Sequence, residues 1–518
     1  MSRSNTEGAH STNFNKLTTK EPTMEAIQSG TTTAALDRTK YTTFDTVSHI
    51  WASLSLPPSA LQSLNLPSAD TNPGLPSSFK VGHLAQATIS LSALTSALIH
   101  TLRTKRPIPT VTVPLQHACI EFKSERLYSI AGAEKLPLWG PIGGLHKTAD
   151  GYVRVHDGFP HHRSGAKKLL GCSEDADRAE VAARTLEWNA IELETAAVEA
   201  GLPIVALRSF AQWDAHPQSG AVSNLPIIIR KLSSGPPYIP LIPSSLDKCL
   251  RGIRVLEMSR VIAGPLAGKT LAIHGADVLW ITSPTLPDLP AMDREFGRGK
   301  RTIHLDMTSP TDKATFFSLA KSVDVFIQGF RPGALAAKGL SSAEVASANP
   351  NGMVIANLSA YGSSGPWSGR RGFDSLVQTC SGMNVSEGEH FGDLGVPTRP
   401  TPCQALDHAA GYLLAAGINA ALWKRASEGG SYEVEVSLAG VMKYLRSLGQ
   451  FEGRSGFEAC KDYETQEDIP REMLESRESG FGAMTSVKHS ARIEGVELGV
   501  EVMPKELGSD EARWLERE

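Results

Sequence analysis

From residue 254 onward, short apolar runs alternate with longer segments of helical spacing. RVLEM (254–258) and DVLWIT (277–282) are nearly continuous apolar runs, the pattern of parallel strands covered on both faces. DVFIQGF (324–330) and GMVIANLSAYG (352–362) repeat it, and RTIHLDM (301–307) alternates. Between them PLAGKTLAIHG (265–275) reads as a helix, with proline at its start and glycine at its end. SPTDKATFFSLAKSV (309–323) predicts another: Ser309 can cap, Pro310 suits the first helical position, and Asp312 stands where a capping-box acid belongs. SAEVASAN (342–349) is a shorter helix. Strands alternating with helices predict an α/β protein with a doubly wound parallel sheet. SRVIAGP, not GxGxxG, follows the first strand, so a nicotinamide or flavin enzyme is not expected.

The same pattern suggests where the chain divides. Residues 1–43 are rich in Ser and Thr and poor in aromatics, and are expected to be a disordered tail. SSGPPYIPLIPSS (233–245) holds too many prolines for a helix or a central strand, and marks a linker over 233–249. It separates a segment at 44–232 from one at 250–450, and 451–518 forms a C-terminal segment. The two larger segments share an echo. AQATISLSALTSALIHTLR (85–103) with TVTVPLQHA (110–118) parallels LDHAAGYLLAAGINAALWK (406–424) with YEVEVSLAG (432–440). Paired without gaps, the two helices set Gln86 opposite Asp407.

Composition narrows the function. Hydrophobic content of 41% with 20% charge describes a globular chain, and no apolar run approaches the ~20 residues that span a bilayer. A formal net charge of −4 argues against nucleic acid or a membrane surface as partner. The six cysteines show no CxxC or Cys/His spacing, so we expect no metal and reduced thiols. The expected location is cytoplasmic, with a mitochondrial one as the alternative.

One acid stands out. In ALDHAAG (405–411), Asp407 opens an otherwise apolar, small-residue helix. Aspartate is a favoured helix cap, which is the structural reading. An ionised, partly desolvated carboxylate at that place could instead act as a nucleophile.

From RGIRVLEMSRVIAGPLAG onward, the chain resembles the family III CoA-transferases of the CaiB/BaiF type. The resemblance runs in order through HGADV, RGKRTIHLDMTSP, DVFIQGFRPGALAAKGL, NPNGMVIANLSAYGSSGP, RGFDSLVQTCSGM and ALDHAAGYLLAAGINAAL, and covers most of 250–445. LHKTADGYVRVHDGFP (145–160) and AGLPIVALRSFAQWDAHPQ (200–218) resemble later parts of the same family. The resemblance implies a Rossmann-like CoA domain with a smaller α+β domain, in a rearranged or tandem arrangement. It implies either a homodimer or a pseudo-dimer closed within one chain.

It also implies an acyl-CoA:carboxylate CoA-transferase whose substrates are an acyl-CoA and a carboxylic acid. Asp407 would attack the thioester and form a mixed anhydride, with donors at a helix start holding the oxyanion. Coenzyme A would be bound by Val261, Ile262, Leu305, Gly329 and Phe330, with Arg298, Lys300, Arg331 and Arg371 as the candidate cations for its phosphates. Ser283 and Thr308 stand where the family has basic residues. The Gly-rich stretch WGPIGGLH (139–146) is the local candidate for a loop over the intermediate, and a turn is its structural reading. His161, His162 and Arg163 are expected at the surface or in a cap, and Asp374 as a cap or an arginine partner. The family's racemase branch has a histidine where Phe373 stands, which weakens a 2-methylacyl-CoA racemase as the alternative. A non-catalytic CoA-binding protein is the other.

Overall fold

The computed structural model describes residues 37–240, 247–392, 395 and 397–517. Most of the expected tail and part of the expected linker lie outside these residues. Within the tail's expected bounds, Arg38–Lys40 form a turn of 3-10 helix and Thr42 caps the helix Thr43–Ser53.

Ten strands and nine helices position the site. The strands are β1 (Gly144–Lys147), β2 (Tyr152–Val155), β3 (Ile204–Ala206), β4 (Ile228–Ser233), β5 (Arg254–Met258), β6 (Asp277–Thr282), β7 (Lys300–His304), β8 (Val325–Gln328), β9 (Val354–Ser359) and β10 (Ser431–Ser437). The helices are α1 (Val81–Thr104), α2 (Leu115–Glu121), α3 (Pro160–Leu169), α4 (Ala263–Ile273), α5 (Pro290–Phe296), α6 (Pro310–Ala320), α7 (Asp374–Cys380), α8 (Ala405–Glu428) and α9 (Leu438–Ser447).

Seven strands form one sheet in the order β7-β6-β5-β8-β9-β10-β4, parallel except for β4, which runs antiparallel to β10. Alternate residues feed two cores, as the pleat requires. Val255, Val325, Ile327, Val354 and Ala356 join the large core with α4 and α8. Leu256, Phe326 and Ile355 join a second core with Phe316 and Leu319 of α6. Burial on both faces explains the unbroken apolar runs. From β5 the chain steps outward to β6 and β7, then returns to β8 and steps the other way to β9 and β10. The reversal opens a crevice beyond the carboxyl ends of β5 and β8.

The strand β4 was not expected. It lies at the end of the segment before the proline-rich stretch, yet it completes the sheet of the segment after it. Ser309 caps α6 as expected, but the Asp312 carboxylate accepts from the Asp306 amide (2.8 Å) instead of closing a capping box.

The echo has a structural counterpart. Helices α1 and α8 are each 24 residues long and pack against each other. They meet where Asn419 donates to Ser96 Oγ (2.9 Å) and Thr95 Oγ1 (3.4 Å). Thr95 and Asn419 hold the same position counted from their helix starts. That register corrects the gapless pairing: His83, not Gln86, is the counterpart of Asp407, each being the third residue of its helix. His83 is tied to Asp70 (3.2 Å) and Thr46 (2.8 Å), while the Gln86 amide donates to the Val113 carbonyl (2.8 Å).

A third layer, β1-β2-β3 with α3, comes from the first segment. It is joined to α7 by Arg154 Nε donating to Thr379 Oγ1 (2.8 Å) and by the Arg208 amide donating to the Thr379 carbonyl (3.3 Å). This docking sets the start of α3 over the crevice.

Helices α4 and α8 approach closely at Gly411 of α8. A Cβ there would sit 2.8 Å from the Ala263 carbonyl oxygen and 2.9 Å from Leu266 Cβ. Gly411→Val is therefore expected to destabilise the fold by about 1–3 kcal/mol through overpacking, read as a lowered denaturant midpoint at unchanged slope.

Candidate functional site

A cavity of about 290 Å³ lies at the crevice. Its floor is the turn after β5 (Arg260, Val261, Ile262), its sides are the turn after β8 (Gly329, Phe330, Arg331) and Arg371–Phe373, and its roof is Phe159, His161 and His162 from the start of α3. Asp407 lines it from α8. The fold thus brings together Asp407, Val261, Ile262, Gly329, Phe330, Arg331 and Arg371, which are scattered over 147 positions of sequence. Val261 holds φ of 70°, a left-handed conformation that a β-branched side chain adopts only under strain, at a cost of about 1–3 kcal/mol.

A second cavity, of about 230 Å³, adjoins the first and shares Arg260, Leu286, Phe330 and Ala334 with it. Leu305, Ser283 and Thr308 line it, with Met307 and Lys338. Leu305 therefore sits next to the Asp407 cavity, not in it.

Arg298 and Lys300 are placed elsewhere. Arg298 is buried and bound to Glu295, Glu475 and the Val487 carbonyl. Lys300 is buried and pairs with Glu257 (2.7 Å) and the Pro265 carbonyl (2.7 Å). Neither lines either cavity, and a cation already neutralised inside the protein has little left for a phosphate. Arg260, Arg331 and Arg371 differ: among the described residues none of the three pairs with a carboxylate. Their recorded partners are the Pro287 carbonyl, the Gly369 carbonyl (3.2 Å) and His162 Nε2 (3.0 Å).

Of the two histidines expected at the surface, His161 is exposed but His162 is buried. His161 and His162 both line the cavity, and only Arg163 turns away, toward Asp157 (3.7 Å). Arginine can only donate, so His162 Nε2 accepts and its proton sits on Nδ1. Burial, with His161 and Arg371 beside it, pushes the His162 pKa down to about 3. His156 stacks on Phe373 with ring centroids 3.8 Å apart, and burial brings its pKa down to about 4. Proline at 160, directly after Phe159, was the available signal that a helix starts here. The Gly-rich stretch does not reach the cavity. Gly140 and Gly143 instead wrap the Asp157 carboxylate, which accepts the Ile142 amide at 2.8 Å.

Asp407 is not a cap. The cap position of α8 is Gln404, whose side chain makes no capping bond. The Asp374 carboxylate does that work from the neighbouring helix. Its Oδ2 accepts the amides of Leu406 (2.8 Å) and Asp407 (3.0 Å), and its Oδ1 accepts from Gln378 Nε2 (2.5 Å). These first-turn amides, expected as oxyanion donors, are consequently engaged. The Asp407 carboxylate accepts no hydrogen bond among the described residues. Burial, then the charges of Asp374 and Glu125, hold its pKa well above the usual carboxylate range. Burial moves Asp374 up to about 6, against the amides it caps. Glu125 stays ionised beside His408 (2.8 Å), its pKa near 2.

An acid whose folded pKa is raised keeps a proton that the unfolded chain has lost. Stability then falls as pH rises from about 4 through the folded value. Asp407→Asn removes that charge, so its melting temperature is expected to exceed the parent's at pH 8, with the gain vanishing at pH 4.

Residues 250–450 match the model of CoA-transferase family III. Among proteins similar to this chain is an acyl-CoA transferase of Gibberella moniliformis, 31% identical over 330 residues, covering 59% of this chain and 57% of the relative. A probable fatty acyl-CoA transferase of Mycobacterium tuberculosis is 34% identical over 222 residues, 39% of this chain and 54% of the relative. A formyl-CoA:oxalate CoA-transferase of Rhodopseudomonas palustris is 31% identical over 231 residues, 42% and 53%. The chain spans little more than half the length of these relatives. The matched stretch, which carries Asp407 and six of the seven strands of the sheet beneath its cavity, is similar to CoA-transferase family III.

Proposed function

We propose that this chain is an acyl-CoA:carboxylate CoA-transferase with Asp407 as its nucleophile. The observation that carries this reading is the Asp407 carboxylate itself: buried, without a hydrogen bond, and opening into a cavity at the switch point of the sheet. A structural aspartate would be bonded to its own helix start, and here Asp374 has that role.

In the proposed reaction, a carboxylate oxygen of Asp407 attacks the thioester carbonyl carbon. The C–S bond breaks, CoA leaves as thiolate, and an acyl-aspartyl anhydride remains. The thiolate then attacks the aspartyl carbonyl, releasing the donor acid. The same two steps in reverse with the acceptor acid yield the new thioester and free Asp407. The acyl end lies in the Asp407 cavity, and the nucleotide extends past Phe330 toward Leu305. Arg260, Arg331 and Arg371 are the cations left free for CoA and acid. The sheet would then be the CoA domain, and α3 with β1–β3 the smaller domain over it. Phe373, stacked on His156, carries no proton, so the reading as a racemase gains no support.

The test is a panel of acyl-CoA thioesters with added hydroxylamine, followed by mass spectrometry of the peptide holding Asp407. A hydroxamate or acyl adduct at Asp407 is expected. Asp407→Asn should abolish the adduct and lower exchange by ~10³-fold or more. Undiminished exchange in that variant would remove the assignment.

A further inference from the structure

We propose that Asp374 is the positioning residue of this site: by taking the amides of Leu406 and Asp407, it keeps the Asp407 carboxylate unbonded and sets a second negative charge behind it. This rests on the reading of Asp407 as the nucleophile. The geometry shows why a second carboxylate is needed. A helix start exposes amides that no residue of the helix satisfies, and a carboxylate in the first turn is drawn to these positive groups. Bonded that way, Asp407 would be a stabilised and weaker nucleophile. Asp374 is the first residue of α7, fully buried, and its Oδ2 lies 2.8 Å and 3.0 Å from the two amide nitrogens.

The arrangement is held from behind. Gln378 donates to Asp374 Oδ1, and Gln378 Oε1 accepts from Asn384 Nδ2 (2.9 Å) and the Thr401 amide (3.2 Å). Asn384 Oδ1 in turn accepts from Thr379 Oγ1 (2.9 Å). The cap therefore cannot swing aside without breaking a chain of buried bonds, each costly to leave unmade.

The charges around the pair set its direction. Asp407 feels Asp374 from α7 and Glu125 from the turn after α2. Across the cavity stand Arg260, Arg331, Arg371, His161 and His162. Asp374 feels His408 of α8, with Arg126 and Arg154 nearby. Glu125 is ion-paired with His408 and Arg126 (3.1 Å), whereas Asp374 forms no ion pair among the described residues. The consequence is a more basic carboxylate, one that needs a higher pH to ionise and attacks better once ionised.

The distinguishing experiment is the pH dependence of single-turnover acylation of Asp407 in the full chain, trapped with hydroxylamine. The wild-type rate should rise with pH, with a midpoint well above the usual aspartate value of about 4. In Asp374→Asn, which keeps an acceptor for the amides but removes the charge, the midpoint should fall by about one pH unit or more, a tenfold change in proton affinity. The plateau rate should fall as well. A merely structural role would lower the plateau and leave the midpoint in place, and that result would overturn the proposal. If the variant does not fold, the wild-type profile still decides: a midpoint at the usual aspartate value of about 4 would overturn it. An absent adduct in the wild type would sink the nucleophile assignment instead.

Discussion

The contact on which the site depends is the carboxylate of Asp374 against the first amides of α8. It joins two helix starts that are 31 residues apart in sequence. Two orphan donors are satisfied by an acceptor from outside the helix, so the acid within the helix does not bind them. An exposed helix would leave this to water. Here the start of α8 is buried beneath the crevice, and a buried amide must have a protein partner. The cost falls on Asp407, kept in a low-dielectric setting beside like charge. Stability given up at one carboxylate is what a reactive carboxylate requires.

The rest of the molecule holds that pair in place. The reversal of strand order between β5 and β8 opens the crevice. Alternate burial of the strand residues in two cores fixes which side chains face it. The small sheet and α3, docked through Thr379 onto α7, bring Phe159 and two neutral histidines over the opening. Neutral His162 orients Arg371 without cancelling its charge, which leaves an uncompensated cation for an anionic substrate.

The internal echo acquires meaning from packing. Helices α1 and α8 touch at matching positions, as two copies of one element would across a two-fold axis. Their first turns differ in chemistry. One presents a free carboxylate to a cavity, and the other has a histidine tied to Asp70 and Thr46. The counterpart of Asp407 is thus not an acid, and it is His83, not Gln86. Gapless pairing failed because helices of low complexity, rich in Ala, Leu and Ser, score alike in several registers.

By itself the sequence determined the α/β alternation, most strand positions, the helix carrying Asp407 and the motifs of the family, because periodicity and local capping are properties of neighbours along the chain. It also pointed to seven of the residues that line the cavity. Only the tertiary structure decided which charges are free. RGKRT reads as a basic cluster for phosphate, yet Lys300 is neutralised by Glu257 on β5 and Arg298 by Glu295 and Glu475. The acid in RVLEM, inside an apolar strand, was the visible sign that a buried cation had to come to it. That Asp374 would cap α8, not its own helix, and so leave Asp407 free, left no local trace at all. Each is an aspartate at a helix start, and which one meets the amides depends on how the two helices are brought together in space.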